Sequence, residues 1–280
     1  MRAESRAEDV AVAEDYYDSD DADRFYFTIW GGEDIHVGLY ETPEEAIAPA
    51  SRRTVATMAD MMGGAGKSAR IVDLGAGYGG SARYLVNEAG ASEVVCVNIS
   101  ETQNRINRHK NKAAGLSDRI DVLHGSFDDV PAKDEAFDVV WSQDSFLHGA
   151  DRQRIIAECE RVLKPGGRLI FTDILQTSDA PAEKLQPIYD RIHLSSLGSI
   201  DFYDDAAEKA GLVLGPRKVL PDMLATHYGR VREELTSRRD ELKGVVSDDY
   251  ADRMIAGLGA WVDGGKSGWL SWGIMTYDKP

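Results

Sequence analysis

A short glycine-rich stretch, IVDLGAGYGGSARYL at residues 71–85, sets the strongest limit on how this chain folds. Its apolar beginning predicts a buried strand, and its end predicts an amphipathic helix that follows after only a few residues. Glycines between a strand and a helix let the backbone approach a bound ligand closely. The stretch therefore predicts a strand–turn–helix unit that holds a small molecule, and it leaves the identity of that molecule open.

Two ligand classes fit the spacing of these glycines. Gly75, Gly77 and Gly80 satisfy G-x-G-x-x-G, the pattern that places a dinucleotide pyrophosphate at a helix N-terminus. Gly75, Gly77 and Gly79 equally satisfy the shorter G-x-G-x-G of enzymes that bind S-adenosylmethionine, which carries no phosphate. The choice between them depends on residues elsewhere in the chain.

Strand-like and helix-like segments alternate through the middle of the sequence. The strand-like segments are short, β-rich and typical of strands that are buried on both faces: 69–75, 92–100, 120–126, 137–144 and 167–175. Helical patterns lie between them at 79–89, 101–114 and 151–163. The last helical pattern opens with Asp151, a residue suited to capping a helix. This alternation predicts a parallel sheet with helices on both faces.

The end of the chain follows a different pattern. Two more strands are expected at 212–220 and 268–279, and a polar helical stretch lies between them at 227–263. A helical insertion is expected at about 176–197, directly after the fifth strand. We expect these insertions to cover the carboxyl ends of the strands, where open α/β sheets bind ligands.

The predicted organisation has three parts. Residues 1–62 form an N-terminal helical lid, and residues 63–220 form the ligand-binding domain with a cap insertion near 176–200. Residues 221–280 add a helical insertion and the final strand to that same domain.

Charge and composition exclude several partners. The 280 residues include 48 acidic and 32 basic side chains, which gives a net charge of −16. Such a surface repels nucleic acid and anionic membranes. Salt screens the self-repulsion, because the Debye length falls to about 3 Å at 1 M, so the charge suggests a salt-rich cytoplasm. The two cysteines, Cys96 and Cys159, are expected to be buried, and no metal site and no secretory signal are predicted.

Polar residues at the strand ends separate the two ligand classes. Asp73 lies two residues before Gly75, where a carboxylate suits a cofactor that carries an amino group and a sulfonium better than a pyrophosphate. Asn98 ends the second strand, where an acidic residue normally binds ribose hydroxyls. Ser126 and Phe127 follow the third strand and are placed to border an adenine. The fifth strand, in RVLKPGGRLIFTD at 161–173, carries another terminal carboxylate.

This ordered series resembles the class I S-adenosylmethionine-dependent methyltransferases over residues 69–220. The resemblance implies an α/β fold with a Rossmann-like, mostly parallel sheet, an antiparallel last strand, a helical N-terminal lid and cap insertions. It also implies S-adenosyl-L-methionine as the cofactor. The residues that it places at this cofactor are Ile35, His36, Asp73, Leu74, Gly75, Ala76, Gly77, Asn98, Ile99, Gln103, Ser126, Phe127 and Gln143.

The flanking segments narrow the family. The segment 16–41, with its W-G-x-x-x-I-H-x-G-x-Y pattern, looks like the lid of methyltransferases that act on small molecules. The segment WSQDSFLHGAD at 141–151 is similar to the fourth-strand segment of phosphoethanolamine methyltransferases. The C-terminal runs, YDRIHLSSLGSIDFYDDAAEKAGL and WVDGGKSGWLSWGIMTYDK, resemble the sarcosine/dimethylglycine N-methyltransferases, which complete the osmolyte glycine betaine.

The resemblance assigns roles on the substrate side. His148 is predicted to accept or relay the proton of the substrate amine, and Asp144 to orient it or to attract the ammonium. Arg191 is predicted to bind the substrate carboxylate, with His193 nearby. Aromatic faces suit a quaternary nitrogen, and the candidates for such a cage are Tyr17, Tyr26, Trp30, Tyr203 and Trp272.

Other functions remain open on the sequence alone. Within the methyltransferases the substrate is alternatively phosphoethanolamine or an aromatic or sugar acceptor. A dinucleotide-dependent oxidoreductase is the competing class, although it calls for an acidic residue where Asn98 stands. The expected partner is a small-molecule amine, with no nucleic acid and no membrane, and the expected state is a cytoplasmic monomer or homodimer.

Overall fold

The structure is a computed structural model, and it describes residues 28–30, 32–191, 194, 196–243 and 247–280. The side chains of residues 190 and 191 are outside this description.

A single mixed sheet forms the centre of the molecule. Its strands are β1 (Arg70–Leu74), β2 (Glu93–Asn98), β3 (Ile120–His124), β4 (Phe137–Gln143), β5 (Leu163–Gln176), β6 (Val213–Leu214), β7 (Lys218–Val219) and β8 (Leu270–Asp278). They lie in the order β3-β2-β1-β4-β5-β8-β6, and β7 also pairs with β8. The first five strands are mutually parallel, whereas β8 runs antiparallel to β5. The predicted Rossmann-like sheet with an antiparallel last strand is confirmed.

Helices cover this sheet and its carboxyl end. They are α1 (Ile47–Met62), α2 (Gly80–Asn87), α3 (Glu101–Ala113), α4 (Arg152–Val162), α5 (Ala182–Arg191), α6 (Ile200–Lys209), α7 (Pro221–Ser237) and α8 (Asp248–Lys266). A 3₁₀ turn spans Phe146–His148 between β4 and α4. Side chains cap several helices: Ser100 accepts the amide of Gln103, and Asp151 accepts the amide of Arg154, as its sequence position predicts.

Three segments differ from the sequence prediction. The expected strand at 212–220 is two short strands, because Gly215 and Pro216 interrupt it and proline lacks the amide that a ladder requires. The expected single helical stretch at 227–263 is two helices, α7 and α8, and α7 begins at Pro221, which suits a first helical turn. Helix α6 lies in a region for which no helix was predicted.

Two apolar clusters lie on opposite faces of the sheet. One includes Ile71, Cys96 and Trp272 and extends into the lid and the C-terminal helices. The other includes Val72, Cys159 and Phe171 and packs beneath α4 and α6. Both cysteines are buried free thiols, as predicted. Among the described helices, none is both long and apolar enough to cross a membrane.

We predict that the second cluster depends strongly on Phe171. Its ring is fully buried and lies 5.1 Å from the ring of Phe146 and 5.0 Å from that of Tyr203, measured between centroids. Phe171→Ala should lower the free energy of unfolding by about 3–5 kcal/mol in urea denaturation, because it leaves a cavity. The matched control is Phe202→Ala, since Phe202 is 36% exposed although it also contacts Tyr203. A similar loss in both variants would contradict this account.

Candidate active site at the carboxyl ends of the strands

The glycine-rich turn joins β1 to α2 with three residues of positive φ. Gly75, Gly77 and Gly79 have φ of 76°, 51° and 75°, a region that side chains disfavour. The amide of Gly75 donates to the carbonyl of Val97 at 2.8 Å, which fixes the turn against β2. A Cβ at Gly75 would collide with the side chain of Ser145. The sequence therefore needs glycine here for both backbone and packing reasons.

Asp73 lies at the end of β1, directly below this turn. Its side chain is 3% exposed, and its Oδ2 has no hydrogen-bond partner in the part of the chain that the structure describes. Burial, together with the charge of Asp34, raises the pKa of Asp73 to about 7. A buried carboxylate without a partner is costly, so this position favours a cationic ligand over an anionic one.

The end of β2 contributes a pair of polar residues that lies next to the glycine-rich turn. Asn98 donates from Nδ2 to Oε1 of Gln103 at 3.0 Å, and both side chains are buried. Ile35 of the lid approaches the same turn, since a Cβ at Gly77 would lie 3.7 Å from its Cδ1. The structure thus brings Ile35, Gly77, Asn98 and Gln103 together, and Leu74, Ala76 and Ile99 lie between them along the chain.

The next predicted cofactor residues lie after β3 and at the end of β4. Ser126 donates to Asp128 at 2.6 Å, and the ring of Phe127 packs edge-on against Phe146 at 5.8 Å. Oε1 of Gln143 accepts from Ser81 of α2 and from the indole of Trp141, whereas its buried Nε2 has no partner within the described ranges. Gln143 therefore offers a free donor close to the start of α2.

The lid is fastened to the site by Asp144. Its Oδ2 accepts the backbone amide of Val37 at 2.7 Å, and its Oδ1 accepts the indole N–H of Trp272 at 2.7 Å. Its own amide donates to the carbonyl of Thr172 at 3.0 Å. Asp144 has φ of +47°, a left-handed conformation that Asp tolerates better than most residues. The carboxylate of Asp144 therefore joins the lid to β8, and its backbone amide adds a hydrogen bond to β5.

His148 ends the 3₁₀ turn that follows Asp144, and its amide donates to the carbonyl of Ser145 at 3.0 Å. Burial and the nearby Arg152 guanidinium lower the pKa of His148 to about 4. The imidazole is therefore neutral at physiological pH, and it is a weaker base than an ordinary histidine. Such a low pKa suits a group that passes a proton on better than one that holds it.

The predicted aromatic residues do not form one group. Trp272 and Trp30 belong to the cluster on the lid side of the sheet, and Trp30 lies 5.0 Å from the ring of His227. Tyr203 lies in the cluster on the opposite face, where it packs against Phe171 and donates its hydroxyl to Asp173. The prediction that Tyr203 shares a cage with Trp272 is corrected, because the sheet separates the two rings.

Four predicted residues fall wholly or partly outside the described structure. Tyr17, Tyr26 and His193 lie outside the described residues. Arg191 is the last residue of α5, and its side chain is not described. Their predicted roles at the substrate stay predictions.

Sequence reasoning assigned no role to three buried polar residues near this site. His227 of α7 accepts the amide of Gly38 at 3.2 Å and contacts the hydroxyl of Tyr40 at 2.9 Å, and burial lowers its pKa to about 3. Arg152 joins the carbonyl of Leu147 at 2.7 Å to that of Ser196 at 2.6 Å. Asp34 of the lid is the third. Their partners are distant in sequence, so no local pattern identifies them.

The strand order and the glycine-rich turn over a buried Asp73 define a class I methyltransferase fold. A comparison with protein families agrees, since residues 72–171 match the family model described as a methyltransferase domain. The chain is a methyltransferase of this class.

The similarity to individual proteins extends over nearly the whole chain. A sarcosine/dimethylglycine N-methyltransferase from Aphanothece halophytica is 46% identical over 277 residues, which cover 99% of this chain and 100% of that protein. One from Halorhodospira halochloris is 48% identical and covers 98% of this chain and 99% of its own length. A solved structure from Galdieria sulphuraria, described as a candidate sarcosine dimethylglycine methyltransferase, has a TM-score of 0.88 at 44% identity, covering 94% of this chain and 98% of that one. The chain belongs to the sarcosine/dimethylglycine N-methyltransferase family.

We predict that Asp144→Asn loosens the lid. An asparagine oxygen accepts from only one of the two donors that Asp144 now satisfies, the Val37 amide or the Trp272 indole. The released N–H should exchange with solvent at least about tenfold faster in NMR hydrogen exchange. The control is Asp151→Asn, which removes the same charge at the cap of α4. Unchanged protection of both N–H groups in Asp144→Asn would rule out the fastening role.

Proposed function

We propose that this protein transfers methyl groups from S-adenosyl-L-methionine to the nitrogen of sarcosine and dimethylglycine, with glycine betaine as the final product. The near full-length similarity to sarcosine/dimethylglycine N-methyltransferases, at 46% and 48% identity, carries this proposal. The geometry of the site is compatible with it.

The residues at the glycine-rich turn fit this cofactor. Asp73 supplies a buried carboxylate oxygen without a partner, which suits the cofactor's positive charge, and Gln143 supplies a buried unpartnered donor. Asn98 and Gln103 lie at the end of β2, where ribose hydroxyls are bound in sheets of this kind. Phe127 offers an aromatic face after β3 for the adenine. An anionic pyrophosphate does not suit the turn, because Asp73 lies beneath it.

The bound cofactor supplies a methyl group on a sulfonium, which is ready for in-line displacement by an amine lone pair. The protein's own task is to align the amine and to exclude water. The lid performs the second part, because its backbone is fixed by Asp144 and also by Thr54, whose hydroxyl donates to the carbonyl of Val37 at 2.8 Å.

The amine must lose its proton before it can attack. We assign His148 to relay this proton, since its imidazole is neutral above a pKa of about 4. Asp144 attracts the ammonium electrostatically, although both of its oxygens already accept hydrogen bonds from Val37 and Trp272.

The two ends of the substrate call for different partners. We assign the carboxylate to Arg191, at the end of α5, with His193 as its neighbour. The methylated nitrogen loses its N–H groups at the last step, so only charge and aromatic faces still recognise it. Trp30 and Trp272 lie on the lid side of the sheet and are candidates for this role, together with Tyr17 and Tyr26.

An assay of methyl transfer with glycine, sarcosine, dimethylglycine and phosphoethanolamine tests the proposal. We expect turnover of sarcosine and dimethylglycine, with glycine betaine identified by mass spectrometry. The kcat/KM for dimethylglycine should exceed that for phosphoethanolamine by at least about 100-fold, because a site built for a carboxylate lacks the cations that a phosphate dianion needs. Preferential turnover of phosphoethanolamine, or none of the four, would overturn the substrate assignment.

We also predict that Asp73 lowers the stability of the ligand-free protein at neutral pH, although it contributes to cofactor binding. Its pKa is raised from 3.8 to about 7, so the unfolded chain ionises before the folded one and the ligand-free protein loses stability as the pH rises from 4 to 7. Asp73→Asn removes this loss, and its advantage over the wild type should grow through that range to as much as about 4 kcal/mol.

Urea unfolding between pH 4 and 8 measures this difference, and calorimetry with S-adenosylmethionine should show that the same variant binds far more weakly. Asp173 has a comparably raised pKa of about 7, also from burial, so Asp173→Asn is the control that should change stability in the same direction. Parallel stability curves for the wild type and Asp73→Asn would contradict the burial of an ionisable Asp73.

A further inference from the structure

The glycine-rich turn is flanked by two buried carboxylates, and only one of them follows from the sequence motif. Asp73 comes from β1, and Asp34 comes from the lid. Asp34 is 6% exposed and Asp73 is 3% exposed. Each has one oxygen that finds no hydrogen-bond partner among the described residues, Oδ1 of Asp34 and Oδ2 of Asp73.

The lid places Asp34 against the start of α2. A Cβ at Gly80, the first residue of α2, would collide with Oδ1 of Asp34. Its Oδ2 pairs with Arg52 at 2.9 Å, and Arg52 also donates to the carbonyl of Gly80 at 3.3 Å. The unpartnered oxygen of Asp34 thus lies at the start of the helix that follows the glycine-rich turn, close enough for its charge to act on Asp73.

Electrostatics make this arrangement unfavourable as it stands. The charge of Asp34 adds to the burial that raises the pKa of Asp73, so the two carboxylates repel each other across the turn. Arg52 pairs with Oδ2 of Asp34, but the Arg52 side chain is 37% exposed. Oδ1 of Asp34 still lacks a donor among the described residues. A cation between the two acids would satisfy both free oxygens and remove the repulsion.

The neighbouring Glu33 differs from Asp34 in this respect. It pairs with Arg83, with Lys110 at 3.6 Å and with Arg52 at 3.8 Å. Glu33 therefore has cations of the protein itself around it, as is usual for an acid that only fastens a lid. The free oxygen of Asp34 has no such explanation within the described residues.

We propose that Asp34 binds the α-ammonium of the cofactor's methionine moiety together with Asp73. The inference rests on the proposed use of S-adenosylmethionine and adds a binding residue from the lid to that site. Binding of the ammonium then draws lid and sheet together, because its N–H groups donate to both free carboxylate oxygens. Contact between the lid and the sheet therefore depends on the positive charge of the cofactor's α-ammonium.

Calorimetry with two ligands isolates the ammonium. S-adenosylhomocysteine carries the α-ammonium but no sulfonium. Its analogue without the α-amino group has neither positive charge and keeps only the carboxylate. The full-length wild type should bind S-adenosylhomocysteine more tightly than the analogue. Asp34→Asn should raise the Kd for S-adenosylhomocysteine by at least about tenfold, since it removes a charge-assisted hydrogen bond, and should leave the Kd for the analogue nearly unchanged.

Two further variants make the result specific. Glu33→Gln removes the same charge from the adjacent residue, and it should change both Kd values by the same factor. Asp34→Glu retains the charge and should preserve much of the preference for the amino group. Circular dichroism establishes whether each variant is folded. If Asp34→Asn does not fold, the comparison of the two ligands is made with Asp34→Glu.

The outcomes separate this inference from the proposed function. Equal losses for both ligands in Asp34→Asn, or no loss for either, would overturn the role of Asp34 while the wild type still binds S-adenosylhomocysteine. Failure of the wild type to bind S-adenosylhomocysteine at all would instead overturn the proposed cofactor.

Discussion

The arrangement of the site depends on the carboxylate of Asp144. This residue directly follows β4 with a left-handed backbone, and its two oxygens receive N–H groups from the lid and from the last strand at 2.7 Å each. Val37, Asp144 and Trp272 are far apart in sequence, so one side chain fixes three regions of the chain at a single point. The glycine-rich turn is covered by Ile35 because the lid is held two residues further on.

The antiparallel β8 explains why the C-terminus takes part in a site that begins with β1. This strand pairs with β5 from Arg168↔Asp278 to Gln176↔Leu270, which places Trp272 opposite Ile174, next to the carboxyl end of β5. The C-terminal helices α7 and α8 precede β8 and pack on the lid side, where His227 accepts the amide of Gly38. The lid and the C-terminal helices are thus joined to each other by hydrogen bonds to buried side chains.

The sequence predicts what is local, and it misses what long-range packing decides. The strand–turn–helix unit, the ends of β1 to β5 within a few residues and the burial of both cysteines follow from short patterns. The position of Tyr203 does not, because its side of the sheet depends on where α6 packs, and no short pattern determines that. Asp34 and Arg152 are similarly hidden, since their importance comes from burial and from partners that no local motif encodes.

The charges of the site are consistent with selection of a cation. Among the described residues, Asp34 and Asp73 each have a buried oxygen without a partner, while the pKa of His148 is held at about 4 by burial and by Arg152. A site with unsatisfied acids and a neutral imidazole attracts positive ligands and does not add a competing positive charge. Both reactants proposed here carry a cationic group when they arrive, the sulfonium of the cofactor and the ammonium of the amino acid. In the proposed reaction the amine reacts only after it loses its proton, so the acids would attract the substrate while His148 would carry the proton away. These two tasks fall to different residues.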